Sequence, residues 1–183
     1  RVLVLKGLPN KKPGGRYVLL YDGEGDFQFS NDVVRNSVQK TREGRYVLDV
    51  DVAGQEGIKI EMTRSLASNH VRNIRFFEER YESMNPIPIF RQEYLDKLRG
   101  YKVLRFMDWA KTNDMAVDTW ASRTTPNRFQ GSVRGVAYEY MIKLANELDI
   151  DAWFCVPIRA DDNHIQEMAR LIHRDLDSGL RVY

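Results

Sequence analysis

Two rhythms run along the chain. Up to about residue 82 apolar and polar side chains alternate with a period of two. RYVLLY (16–21) reads as a strand, followed by a turn over Asp22-Gly23-Glu24-Gly25-Asp26 and a second strand over Phe27–Phe29. RYVLDVDV (45–52) alternates cleanly, setting Tyr46, Leu48, Val50 and Val52 against Arg45, Val47, Asp49 and Asp51. A turn over Gly54–Gly57, the segment IKIEM (58–62) and the segment VRNIRFF (71–77) continue the pattern. Short alternating strands with glycine turns predict an antiparallel sheet or sandwich. SMNPIP (83–88) then breaks the rhythm, because two prolines fix an extended path.

From Phe90 the spacing becomes helical. Phe90, Tyr94, Leu95 and Leu98 share a face, and Gly100 stops that helix. Val103–Met107 is a short apolar run of buried-strand type, and Gly135–Leu148 carries a stripe of Val136, Tyr140, Met141, Leu144 and Leu148. Ala152–Pro157 repeats the strand pattern. Ala160-Asp161-Asp162 supplies an N-cap to a third helix lined by Ile165, Met168, Ala169, Ile172 and Leu176, and Leu180–Tyr183 begins another strand. Helices alternating with short strands imply parallel pairing with right-handed crossovers. The expected fold is therefore α/β plus β. An antiparallel β domain (1–82) and a linker (83–89) precede a partial (β/α) TIM-barrel-like region (90–183), with a doubly wound sheet as the competing architecture. The polar connection Asp114–Gly135 carries Trp120, Arg123 and Gln130 and is long for a compact domain, with a short strand expected over Val117–Trp120.

Composition narrows the partners. In 183 residues the formal net charge is +2 and the basic residues are scattered, which gives no argument for nucleic acid or an anionic surface. No apolar stretch approaches the ~20 residues of a membrane span. One cysteine, Cys155, excludes an internal disulfide and reads as a small buried hydrophobe. His70, His164 and His173 lack ligand spacing, no glycine-rich phosphate loop follows a strand, and no metal or cofactor is expected. The acidic turn Asp22–Asp26 offers oxygen ligands of the kind calcium takes but lacks an EF-hand's spacing, so a solvated hairpin turn is the preferred reading. The chain opens on Arg1 without an initiator Met and stops at the onset of a strand, a pattern expected of a segment of a longer polypeptide.

Candidate chemistry gathers where the strands end, since α/β folds build their sites at the carboxyl ends of parallel strands. Asp108, Trp109 and Asn113 follow the first strand, and Arg159 and Asp161 follow the second. Asp108 is expected to bind substrate or to support an acid/base Glu rather than to act as the catalyst, with a cap on the following segment as the alternative. Trp109 and Trp120 have the flat apolar face that stacks on a pyranose, although packing in the core or under a loop explains them equally. Arg123 suits a sugar hydroxyl or carboxylate, or else a surface ion pair. Asp161 is a helix cap or a group at the mouth. Trp153 reads as core.

LRFMDWAKTN, TWASR, GVAYEYMIKLANELDIDAWFCVP, ADDNHIQEMARLI and the closing LRVY together resemble glycoside-hydrolase-like or cellulose-binding-domain proteins of bacteria and viruses. The resemblance covers most of the chain and is strongest over Leu104–Tyr183. It implies a β-rich region followed by the first βα units of a barrel. It also implies a polysaccharide or cell-surface glycan as partner, further chain or further subunits, and an extracellular, cell-surface or virion-surface location. The acid/base Glu of such enzymes would follow LRVY, beyond Tyr183, so no catalytic residue is expected within this chain; retaining hydrolysis needs two carboxylates about 5 Å apart. Where the family reads Asn-x-Pro-His, this chain has Cys155-Val156-Pro157-Ile158. Two functions follow: a segment of a glycosidase-like protein binding or hydrolysing a polysaccharide, or a non-catalytic carbohydrate-binding or structural module.

Overall fold

The alternating segments of the first half pair as antiparallel strands. The computed structural model describes residues 1–6, 14–51, 53–114 and 116–183. The chain divides into two compact units, Arg1–Pro88 and Ile89–Tyr183. In the first unit the described strands are β1 (Val2–Val4), β2 (Gly15–Asp22), β3 (Gly25–Asn31), β4 (Gln39–Arg42), β5 (Arg45–Val50), β6 (Ile58–Ser65) and β7 (Arg72–Glu78). They form a three-stranded sheet ordered β1-β6-β3 and a four-stranded sheet ordered β4-β5-β2-β7. Registers such as Tyr17↔Leu48, Leu19↔Tyr46 and Phe29↔Ile60 place apolar residues opposite one another. Tyr17, Leu19, Tyr21, Tyr46, Leu48 and Val50 of one sheet share a core with Phe27, Ile58 and Ile60 of the other. The period of two decides this, because successive side chains leave opposite faces. Val52, placed by its alternation in the same strand as Val50, lies outside the described residues.

The turn after β2 shrinks to Gly23 and Glu24. Gly23 sits at φ +86°, and a Cβ there would lie 2.2 Å from the His70 carbonyl oxygen. The acidic side chains around it go to protein partners. Asp22 accepts from Asn73 (2.6 Å), Glu24 from Asn69 (3.2 Å), and Asp26 pairs with Arg64 (2.6 Å) and Lys40 (2.9 Å). Those partners, Arg64 first, hold the Asp26 carboxyl at about 2. Among the described residues no group of three His, Cys, Asp or Glu side chains could hold a metal.

In the second unit are α1 (Gln92–Leu98), β8 (Val103–Arg105), α2 (Tyr138–Leu148), β9 (Asp151–Trp153) and α3 (Asp162–Asp175). β8 and β9 pair in parallel, Val103↔Asp151 to Arg105↔Trp153, and Val182 adds a single parallel bridge to Ala152. Leu104 and Ala152 join a core built from α2 (Tyr138, Met141, Ile142, Leu144, Ala145), α3 (Met168, Leu171, Ile172) and the loop residues Phe106 and Phe154. Among the described residues no helix is long and apolar enough to cross a membrane.

The expected α/β plus β fold with a partial (β/α) barrel is corrected here. The molecule is β-rich. Its sheet is overwhelmingly antiparallel, its helices are few and short, and no (β/α) repeat builds up. The apolar runs were longer than the strands they contain. After Arg105 the backbone leaves the sheet in successive turns, with Ala110 N–H donating to the Phe106 carbonyl, and Phe106 packs on Phe154 at 5.5 Å. The apolar residues beyond β8 and β9 thus serve loop packing rather than strand pairing. Val117–Trp120 forms no strand, and a 3-10 turn covers Trp120–Ser122. In α3 the buried face is His164, Met168, Leu171 and Ile172, leaving Ile165 exposed.

Candidate functional site

Two loops leave the carboxyl ends of β8 and β9, and backbone hydrogen bonds tie them together. Ile158 N–H donates to the Thr112 carbonyl (3.0 Å) and Asp161 N–H to the Asp118 carbonyl (2.9 Å). The first loop is folded on itself by Thr112 Oγ1, which donates to the Met107 carbonyl, and is linked to the approach to α2 by Val136 N–H donating to the Trp109 carbonyl at 2.8 Å. That contact needs Gly135, which lies at φ +78° with its α-carbon so close that a Cβ would fall 2.2 Å from Trp109 O. Gln130 closes the long connection: its amide donates to the Thr125 and Arg128 carbonyls and its oxygen accepts from Ala137 N–H at the start of α2.

The predicted residues divide into a solvent-facing group and an internal one. Asp108, Asn113 and Arg159 are exposed, and among the described residues no hydrogen bond or ion pair engages their side-chain ends. Trp109 is half-buried against Phe106 at 5.7 Å and belongs to the core. Asp161 caps α3, its carboxylate accepting from His164 N–H at 2.6 Å. Asp118 accepts from Thr119 N–H (2.8 Å) and Ser122 Oγ (3.1 Å); those bonds, the backbone one first, lower its pKa, and the Arg159 charge adds to them.

Trp120 and Arg123 are built into the interior. Trp120 stacks on Tyr138 (6.2 Å between centroids, 8° between planes) and meets the edge of His164 at 5.4 Å. The Arg123 guanidinium lies over the Trp120 ring at 4.0 Å and makes a bidentate pair with Glu139, 2.9 and 3.1 Å. Its two terminal nitrogens are committed to Glu139 and the Thr124 carbonyl, while its buried Nε has no hydrogen-bond partner among the described residues. Tyr138 Oη and His164 Nε2 share a buried hydrogen bond of 3.1 Å, and burial raises the phenol's pKa. His164 Nδ1 is buried without a well-formed hydrogen bond among the described residues. His164 is fully buried, and this lowers its pKa. The cluster fixes the 3-10 turn against α2 and α3 and offers no free aromatic face.

Several aromatic rings reach solvent, among them Tyr101, Phe129 and Tyr183, and another, Trp153, is read as core from the sequence. Trp153 is 44% exposed. Leu104 and Ala152 face the helices, so alternation sends Val103, Arg105, Asp151 and Trp153 to the opposite face of the β8–β9 pair. Arg105 lies over the Trp153 ring at 4.7 Å, and both residues are the last of their strands, next to the two loops. The signal was present in the sequence: an arginine within VLR and an aspartate within DAW mark one face as wet. On the helix side an open groove of about 450 Å³ is lined mostly by apolar side chains such as Phe154, Val156, Ile165 and Met168, with His173 and Tyr183 as its polar members. Its walls are nearly all carbon and lack the convergent polar groups that orient a small ligand.

Comparison with protein-family models, with curated proteins and with solved structures finds no match to this chain.

Proposed function

We propose that the chain is a non-catalytic carbohydrate-recognition module, with Trp153 as the stacking platform and the loop after β8 supplying polar contacts to sugar hydroxyls. The observation that carries this reading is the exposed Trp153 ring at the carboxyl end of β9, beside a loop whose Asp108 and Asn113 side chains are uncommitted. A half-exposed indole offers a flat apolar face with a polar edge, the shape complement of a pyranose. Carboxylate and amide groups without internal partners lose nothing when they exchange water for hydroxyls. The motif resemblance to glycoside-hydrolase-like proteins points the same way. Binding without hydrolysis is the economical form of the reading, because Asp161 is committed as a helix cap while Asp108 stands exposed.

The test is binding of the 183-residue chain to immobilised polysaccharides and a glycan array, beside Trp153→Ala and Asp108→Ala. Trp153→Ala is expected to weaken binding at least tenfold, about 1.4 kcal/mol, with the thermal midpoint nearly unchanged because the ring is exposed. Asp108→Ala is expected to weaken binding several-fold, also with the fold intact. Trp120→Ala, by contrast, is expected to lower the midpoint. A chain that binds no glycan, or a Trp153→Ala variant that binds as well as the parent, sinks the proposal.

A further inference from the structure

The face that carries Trp153 also carries a positive charge that the protein leaves unbalanced. Arg105 stacks on the indole at 4.7 Å, and among the described residues no carboxylate lies within ion-pair distance of it. The acidic side chain that the register places on the same face is Asp151, opposite Val103 and one pair removed; its Oδ1 already accepts the Arg181 amide at 2.9 Å. Some exposed arginines are paired, Arg64 with Asp26, Arg174 with Asp175 and Arg99 with Asp96, while Arg159, like Arg105, has no ion pair among the described residues; Arg105 differs from Arg159 in lying over an exposed indole. Arg123, the arginine of the internal aromatic cluster, is closed by Glu139. Arg105 combines exposure, an aromatic support and five donors that no acceptor among the described residues engages.

A guanidinium lying over the ring of a half-exposed indole covers part of one face and holds a fork for a carboxylate next to the ring surface that remains open. From this charge complementarity we infer that the preferred ligand is an acidic glycan, a chain of uronate residues. One pyranose ring would lie on Trp153 while its carboxylate meets Arg105. The inference rests on the glycan reading of Trp153 and deepens it. A neutral polysaccharide would use the indole and leave the arginine solvated, so the charge contributes only when the sugar brings an acid.

The experiment measures affinities of the 183-residue chain for alginate, polygalacturonate and hyaluronan, each beside its carboxyl-reduced neutral counterpart, at about 50 mM and 500 mM salt. The parent is expected to bind at least one acidic polymer tenfold or more tighter than its reduced form, with the gap narrowing at high salt as screening increases. Arg105→Gln should remove the gap while leaving binding to the reduced polymer within about twofold, and Arg105→Lys should restore it in part, as a point charge without the fork. Equal affinity for acidic and reduced forms, unchanged in Arg105→Gln, overturns the acidic preference and leaves the Trp153 reading standing. Failure to bind any acidic, reduced or neutral polysaccharide overturns both. Arg105-dependent binding to a single-stranded oligonucleotide without glycan binding overturns both as well, and reassigns the arginine–tryptophan pair to base stacking.

Discussion

His164 shows how one side chain can make a fold sensitive to acid. Its ring is fully buried between Trp120 and Tyr138, and burial holds it neutral by lowering its pKa from the ordinary 6.5. The unfolded chain takes up that proton more readily, so its contribution to stability is complete above about pH 6.5 and is lost progressively as the pH falls below it. The melting transition of the second unit is therefore expected to drop between pH 7.5 and pH 5.5. A His164→Gln variant, able to accept from Tyr138 Oη but unable to ionise, should start lower and stay flat across that range. Equal steepness in both proteins would show that the imidazole is not the titrating group. Trp120 and Arg123 belong to the same lesson: residue types suited to a sugar site are also those suited to an internal cation–aromatic stack. The sequence names the types, and only the partners Glu139 and Tyr138 decide between the roles.

At the scale of elements, the parts that local pattern dictates were legible and the parts that depend on distant partners were not. Alternation located β2, β5 and β6, and helical spacing with Gly100 and Asp161 located α1 and α3. Strand length was misread because Phe106 and Phe154 are as apolar as strand residues and yet pack from loops. Trp153 was misplaced for the same reason: a run read as buried on both faces proved to be covered on one. β4, with the sequence QKTR, carries no apolar signal and exists through its pairing with β5. The turn at Gly135 joins the candidate loop to α2, and its test is direct. Gly135→Ala adds a Cβ that meets backbone, at a φ that L residues rarely adopt, so a loss of about 2–4 kcal/mol is expected in denaturant unfolding. Gly179→Ala, where nothing lies within 4 Å of the added atom, should change stability by about 0.5 kcal/mol or less. Equal effects of the two would remove the steric account of the turn.

At the scale of the molecule, each unit encloses its own hydrophobic cluster, one centred on Tyr17, Leu19, Leu48 and Ile58 and the other on Met141, Ile142, Leu144 and Leu171. A polypeptide of residues 1–88 is accordingly expected to fold alone with a cooperative melt and no glycan binding, while residues 89–183 retain whatever binding the whole chain has. Binding found in 1–88 would move the site off Trp153. The barrel expectation failed at this scale because a barrel is a property of closure among many strands, and three short apolar runs carry no information about closure. The four-stranded sheet of the first unit has its own consequence. Its two borders are β4, four exposed residues in which Lys40 is paired with Asp26 and Glu43, and β7, which exposes Arg72, Asn73 and Arg75 together with Ile74. Both borders are short and rich in charged side chains, which makes them poor templates for adding a further strand. Growth of that sheet by a strand from a second copy is thereby disfavoured.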